Sequence, residues 1–212
     1  MEKYTLKVAG LTRELTLYPV NDKLDIAAFI MFSDVEMTVE SAKLLLSKVP
    51  EFDVILTSEA KGIPLAYEMA RQSGKTYVVA RKSIKVYMKD PVSACVNSIT
   101  TKGEQHIHIG DEKVQLIKGK KVLIVDDVIS TGESLTAMEE LVKKAGGEVC
   151  CRCAVLAEGD AADRNDIVFL EKLPLFFKII RKVLHIDEAK NGLYRTFLYQ
   201  RIIFCFTFFI KR

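Results

Sequence analysis

Apolar and polar positions change period several times along this chain, and the changes divide it into elements. TVESAKLLLSKVP (38–50) spaces its apolar residues for a helix. Thr38 is its expected N-cap, Ser41 stands where a capping box would have Glu or Gln, and Pro50 ends it. Next come a short strand, Val54 to Thr57, a polar turn, a helix from about Ile63 to Gln72 and a stop at Gly74. TYVVARK is a second strand, KKVLIVDDV a third, and GESLTAMEELVKKAGG a helix closed by Gly146 and Gly147. EVCCRCAVLA and DIVFLEKLPLF supply a fourth and a fifth strand. Buried strands alternating with helices of this length predict parallel βαβ units. The expected fold class is therefore α/β, a central, mostly parallel sheet flanked by helices.

Residues 86–116 break that rhythm. VYMKDPVSACVNSITTKGEQHIHIGDEKVQL alternates weakly, contains Pro91, Gly103 and Gly110, and is too long for an ordinary crossover loop. It reads as a two-stranded flap. His106 and His108 fall on one face of the returning strand, an exposed flap face in preference to a metal site.

At 212 residues the chain fits one globular domain with a sizeable core. The start, MEKYTLKVAG, lacks the features of a secretory signal, so a cytoplasmic location is expected, with the five cysteines as thiols. CCRC (150–153) has no second Cys/His pair at zinc spacing. In a strand, Cys151 and Cys153 would share a buried face with Val149 and Val155. The formal charge of +3 is uneven: residues 1–178 hold 24 basic and 26 acidic side chains, residues 179–212 seven and two. A slightly acidic body gives no support to nucleic-acid binding.

The chemistry gathers at strand ends. In open parallel sheets, ligands sit beyond the carboxyl ends of the strands where strand order reverses. Three such ends are polar here: SEAKG (58–62), ARK (80–82) and DDVISTGES (126–134). The third joins a buried strand to a helix. Its small residues, hydroxyls and helix-start N–H groups suit a phosphate, without the Walker G-x-x-x-x-G-K pattern. A capped helix start is the bland reading of STGES alone. Asp126 and Asp127, adjacent at the end of a buried strand, carry a cost in repulsion and desolvation that a bound ligand would offset. They suit sugar hydroxyls as paired acceptors, with the sugar's phosphate held in the loop beyond.

VLIVDDVISTGES (122–134) resembles the phosphoribosyl pyrophosphate motif of type I phosphoribosyltransferases, and the likeness extends over most of residues 1–178, nearest the adenine/xanthine branch. That resemblance implies a phosphoribosyltransferase domain (1–178) with a hood (about 1–37) and a flexible flap (about 86–109). It implies transfer of a phosphoribosyl group from phosphoribosyl pyrophosphate to adenine in purine salvage, giving AMP and pyrophosphate, with Mg²⁺ on the substrate and a homodimer. By the same likeness, Asp126 and Asp127 hold the ribose hydroxyls, and Ser130, Thr131, Gly132, Glu133 and Ser134 cradle the 5′-phosphate. Ile129 packs beside the base. Glu59, Ala60, Lys61 and Gly62 match the pyrophosphate loop; Arg81 and Lys82 reach the pyrophosphate, with Lys85 assisting. Asp126, Asp127, Lys61 and Arg81 are the expected catalytic residues, and no residue is expected to ligate a metal.

Three departures bear on substrate. Lysine at 61 stands where the adenine enzymes often have arginine, replacing a bidentate fork with a point charge. The flap reads NSITTKGEQHIHIG, without the Glu-Tyr-Gly element of adenine enzymes; Glu104 is the sole carboxylate of its turn. In the hood, DIAAFIMFSDVEMT (25–38) offers Phe29 and Ile30 to stack on a base or to serve as core. Alternatives are a xanthine or guanine enzyme, and a non-catalytic regulator of the same fold that senses phosphoribosyl pyrophosphate. The tail, 179–212, follows no pattern of the family. Its apolar run, Ile202 to Ile210, is nine residues, short of the roughly 20 that span a bilayer. Read-through or a frameshifted end is preferred to an interfacial anchor.

Overall fold

The computed structural model describes residues 2–96 and 105–178, and residues 1–178 form one compact unit. The expected flap turn, with Glu104, and the tail (179–212) lie outside the described residues. At the centre is a five-stranded parallel sheet in the order β10-β9-β8-β4-β5. Its strands are β4 (Val54–Ser58), β5 (Thr76–Ala80), β8 (Lys121–Ile129), β9 (Glu148–Glu158) and β10 (Val168–Leu173). Helix α2 (Ile63–Ser73) connects β4 to β5, and α4 (Glu133–Lys144) connects β8 to β9.

The central strands are apolar without alternation because both faces are covered. On one side Ile55, Leu123, Val125, Cys153 and Val155 pack with Met37, Leu45, Leu65 and Met69 of α1 (Val35–Leu46) and α2. On the other, Val54, Leu56, Val122, Ile124 and Ala154 meet Leu135, Met138 and Leu141 of α4. Chain order runs outward from β4 to β5 in one direction and from β8 through β9 to β10 in the other. The sheet therefore reverses its order between β4 and β8.

An N-terminal antiparallel sheet, β1 (Lys3–Val8), β2 (Leu11–Pro19) and β3 (Leu24–Ala27), is completed by β11 (Phe176–Phe177). Ala9 and Gly10 link β1 to β2 with φ of 54° and 76°, the two positive values that a tight hairpin turn needs. Leu6, Val8, Leu15 and Ala27 carry this sheet into the first core cluster.

Three expectations are corrected. Helix α1 starts at Val35, one turn before the residues whose spacing signalled it. Asp34, not Thr38, is the N-cap, accepting the Met37 N–H at 3.1 Å. Arg13 of β2 fixes that cap through Nε to Oδ2 (2.7 Å) and Nη2 to Oδ1 (3.0 Å), and also pairs with Glu36. Thr38 is a buried residue of the first turn, its hydroxyl donating to the Asp34 carbonyl, and Ser41 is buried against Met37 Sδ. Exposed Val35 had blurred the helical period.

Second, Val149 does not share a face with Cys151 and Cys153. Val122 pairs with Val149 and Leu123 with Cys151, so Cys150 is the extra residue of a β-bulge that moves Val149 to the second cluster. Cys151 and Cys153 are buried thiols, with ionisation pushed up by that burial.

Third, the irregular segment resolves into a hairpin, β6 (Val92–Val96) and β7 (Gln105–Ile109), and a helix, α3 (Asp111–Ile117). The hairpin is a core element: Ala94, Ile107 and Ile109 are buried in the second cluster, and Lys144 Nζ of α4 donates to the Ser93 carbonyl at 2.7 Å. His106 is exposed and stacks on His108, whose Nδ1 lies 2.7 Å from Ser93 Oγ. Among the described residues no three His, Cys, Asp or Glu side chains gather to hold a metal, and no helix is long and apolar enough to cross a membrane.

Arg13 holds the Asp34 carboxyl below its ordinary pKa of 3.8, chiefly by hydrogen bonding. A depressed carboxyl stabilises the fold above its unfolded-state pKa and loses that contribution as pH falls through the folded value. Asp34→Ala should cost about 1–2 kcal/mol at pH 7, or roughly 2–8 °C in melting temperature. Denaturant titrations at pH 7 and pH 3 check this: the gap to the wild type should narrow in acid.

Candidate functional site

Strands β5, β4 and β8 are neighbours and parallel, so their carboxyl ends open on one edge of the sheet. Residues 59–62 run from β4 into α2, Arg81 and Lys82 follow β5, and Asp126 and Asp127 lie near the end of β8. Four buried polar side-chain atoms lack a hydrogen-bond partner among the described residues. Three of them, Thr57 Oγ1, Arg81 Nε and Asp127 Oδ2, sit at these three strand ends. The fourth, Asp25 Oδ1, has the Lys178 ammonium 2.8 Å away. Buried polar groups are normally satisfied. Their concentration here marks an edge built to meet something other than protein.

Of the two carboxylates, Asp127 is buried and Asp126 partly exposed, and they lie close to each other. Asp127 is 5 % exposed, and its N–H donates to Asp126 Oδ1 at 2.9 Å. Burial first, then the charge of Asp127, pushes the Asp126 carboxyl well up; burial pushes Asp127 up as well. The Lys61 charge opposes both shifts, which places the lysine within electrostatic reach of the pair.

Gly62 allows this closeness. A methyl group there would lie 2.5 Å from Thr57 Oγ1, 3.0 Å from Asp126 Oδ1 and 3.2 Å from Asp126 Cα. Only a residue without a side chain lets the start of α2 approach β8 so nearly. The preceding Glu59–Ala60 peptide is cis. Glu59 ties its loop to the next strand end, accepting the Lys82 N–H at 3.0 Å, with Arg81 Nε 3.4 Å from the same oxygen. Arg81 is fixed from behind by paired backbone hydrogen bonds with His108, both 2.8 Å.

The loop after β8 is open. Gly132 is the N-cap of α4 with φ of 83°, and no side chain caps the helix. The hydroxyls of Ser130, Thr131 and Ser134, all exposed, make no hydrogen bond among the described residues, so the capped-helix reading of this stretch does not hold. Uncapped N–H groups at a helix start, with free hydroxyls around them, can take an oxyanion.

Not every expected residue joins this edge. Lys85 Nζ turns to Ser83 Oγ at 2.7 Å. Phe29, 5 % exposed, belongs to the first core cluster, whereas Ile30 is 53 % exposed and has a surface to offer. Ile129 is buried in the second cluster with Leu135 and Ala157, and so presents no free face for a base. Thr57 escaped attention because a lone threonine within VILT reads as strand. Its signal was a hydroxyl one residue before a polar turn. Arg164, whose Nη1 would stand 2.7 Å from a methyl group on Gly132, comes from a distant turn with no local signature.

Residues 40–183 match the model of the phosphoribosyl transferase domain. This chain belongs to the phosphoribosyl transferase family. Adenine phosphoribosyltransferase of Thermotoga sp. (strain RQ2) is 40 % identical over 99 residues, 47 % of this chain and 55 % of that protein. The match thus spans about half the length of that relative. Hypoxanthine/guanine phosphoribosyltransferase of Methanococcus voltae is 36 % identical over 141 residues, 66 % of this chain and 67 % of the other. Among solved structures, adenine phosphoribosyltransferase from Thermoanaerobacter pseudethanolicus superposes with a TM-score of 0.63 at 23 % identity, covering 74 % of this chain and 95 % of that one. The likeness in structure confirms the α/β fold of the family, with its central parallel sheet between helices.

Two predictions follow from the geometry of the edge. A raised carboxyl holds its proton more tightly folded than unfolded, so the pair's contribution to stability worsens as pH rises from about 4 through the folded values. Asp126→Asn with Asp127→Asn should therefore melt at or above the wild-type temperature at pH 8, with the advantage shrinking toward pH 4. A double variant less stable at pH 8 than at pH 4, relative to wild type, would contradict the buried-charge account. Gly62→Ala should cost about 1–3 kcal/mol by overpacking. Adding Thr57→Ala should recover part of that loss in a double-mutant cycle, because Thr57 Oγ1 is the nearest obstacle.

Proposed function

We propose that this chain is a purine phosphoribosyltransferase, transferring the phosphoribosyl group of phosphoribosyl pyrophosphate to adenine and releasing pyrophosphate and AMP. The observation that carries this reading is the pair of buried atoms without hydrogen-bond partners among the described residues, Thr57 Oγ1 and Asp127 Oδ2, on adjacent strand ends beside the Arg81 guanidinium and an uncapped helix start. An acceptor pair, a cationic rim and an oxyanion loop are the three recognition elements that a ribose bearing phosphate at one end and pyrophosphate at the other requires.

In this reading Asp126 and Asp127 accept hydrogen bonds from the ribose hydroxyls, and residues 130–134 hold the 5′-phosphate. Lys61, Arg81 and Lys82 face the pyrophosphate, with Glu59 orienting Arg81 and the Lys82 backbone. Departure of pyrophosphate leaves positive charge on the ribose ring. The buried carboxylates oppose that charge where it develops, and the cations accept the leaving anion, so positioning and charge account for the rate without a covalent nucleophile. Mg²⁺ fits as a passenger of the substrate, with the unpaired Asp127 oxygen as the protein group available to it. When bound, it would neutralise pyrophosphate charge.

A homodimer is part of the proposal. The edge strand β5 presents Tyr77 edge-on to Tyr67, which is 55 % exposed, and the segment after β5 exposes Ile84, Val86 and Tyr87. Apolar exposure of this kind beside Arg81 and Lys82 suits a second copy of the chain. The cysteines of the described residues are free thiols, in keeping with a cytoplasmic location.

The base is the open choice between readings. The match to the hypoxanthine/guanine enzyme covers more of this chain than the match to the Thermotoga adenine enzyme, which favours an oxopurine as the second reading. Incubation with phosphoribosyl pyrophosphate, Mg²⁺ and each of adenine, guanine, hypoxanthine and xanthine should release pyrophosphate fastest with adenine. Discrimination should be at least about a hundredfold, because a site that pairs one purine edge leaves polar groups unmatched by another. The Asp126→Asn, Asp127→Asn double variant should show no transfer. Release led by an oxopurine would establish the second reading, and tight binding without release for any base would point to a regulator.

A further inference from the structure

The phosphate loop has a cation poised over it that the strand ends do not supply. Arg164 follows a short 3₁₀ turn, Gly159–Asp163, after β9, and its N–H is bonded to the carbonyl of buried Ala161 at 3.2 Å. Two of its side-chain nitrogens are committed: Nε donates to Asp166 Oδ1 at 2.9 Å and Nη2 to Asp166 Oδ2 at 2.7 Å. This bidentate grip fixes the guanidinium plane. The third nitrogen, Nη1, projects away from the carboxylate to the loop, where a methyl group on Gly132 would come within 2.7 Å of it. Nη1 has no hydrogen-bond partner among the described residues. The side chain is one-third exposed, so an isolated surface pair with Asp166 would contribute little to stability.

Building on the proposed function, we infer that Arg164 is a further ligand of the substrate's 5′-phosphate, with Asp166 as its positioning residue. Gly132 then has two reasons to lack a side chain. Its φ of 83° disfavours other residues, and its bare Cα leaves room for the guanidinium. The N–H groups at the start of α4 would meet the phosphate from one side and Nη1 from the other. A planar donor anchored by a carboxylate loses little freedom when it binds an oxyanion, which suits a site that must grip the same phosphate in substrate and product.

The test uses the full chain, with binding of AMP, ribose 5-phosphate and pyrophosphate measured by calorimetry for wild type, Arg164→Met, Arg164→Lys and Asp166→Asn. Arg164→Met should weaken AMP and ribose 5-phosphate roughly tenfold to hundredfold, as loss of a charged hydrogen bond does, and leave pyrophosphate within about twofold. Its KM for phosphoribosyl pyrophosphate should rise more than its kcat falls. Arg164→Lys should recover part of the loss, and Asp166→Asn should show a smaller loss confined to the same two ligands. Unchanged AMP affinity in Arg164→Met overturns the inference. So does equal weakening of all three ligands, which would mean a structural role; if Arg164→Met does not fold, Arg164→Lys and Asp166→Asn decide by the same pattern. A wild type that binds none of the three refutes the proposed function, and this inference with it.

Discussion

The site depends on two adjacent carboxylates at the end of a strand whose other residues are apolar and buried. Asp127 cannot be hydrated freely, and its charge raises the cost of ionising Asp126. The fold tolerates this because β8 is central to the sheet. Its apolar stretch, Val122 to Val125, anchors it on both faces, and the start of α2 presses against it through Gly62. Stability supplied upstream in the strand is spent at its end. Lys61 lies near enough to oppose the charge without forming an ion pair among the described residues. The carboxylates therefore stay available as acceptors instead of being consumed by a protein partner.

The same edge is braced from several directions. Arg81 shares backbone hydrogen bonds with His108 of β7, β7 pairs with β6, and Ser93 of β6 accepts from Lys144 at the far end of α4. The cation after β5 and helix α4, which begins just after β8, are thus joined through the hairpin. A displacement of the hairpin would disturb both. This is a structural use for a segment that by pattern alone is merely a lid.

Much of this was legible in the sequence, and the failures have physical causes. Continuous apolar runs ending in polar residues identify the five parallel strands, because strands covered on both faces need no alternation. The motif at 122–134 located the carboxylates and the loop for the same reason: a charge pair on such a run is costly enough to be conspicuous. Three kinds of feature were not legible. The Cys150 bulge changes the face of Val149 without any change in local composition. The cap at Asp34 is made by Arg13, 21 residues away, so no window around Thr38 contains its cause. The sequence leaves Phe29 open between base and core, and the resemblance puts Ile129 beside a base, because whether an apolar side chain lines a pocket or fills a core depends on its neighbours in space.

The distribution of unpaired groups also constrains the kind of chemistry this edge can perform. A site organised for nucleophilic attack would couple a nucleophile to a base within hydrogen-bond reach. Here the buried thiols of Cys151 and Cys153 have their ionisation suppressed, and His108 is bound to Ser93 at the hairpin while burial lowers its basicity. Among the described residues, the buried groups at this edge without hydrogen bonds are instead a hydroxyl, a carboxylate oxygen and a guanidinium N–H that has only a 3.4 Å ion pair with Glu59, spread over three strands. Such groups bind and orient. Fixed on strand ends, they require little reorganisation when charge separates in front of them, and that preorganisation is where their effect on a reaction would come from.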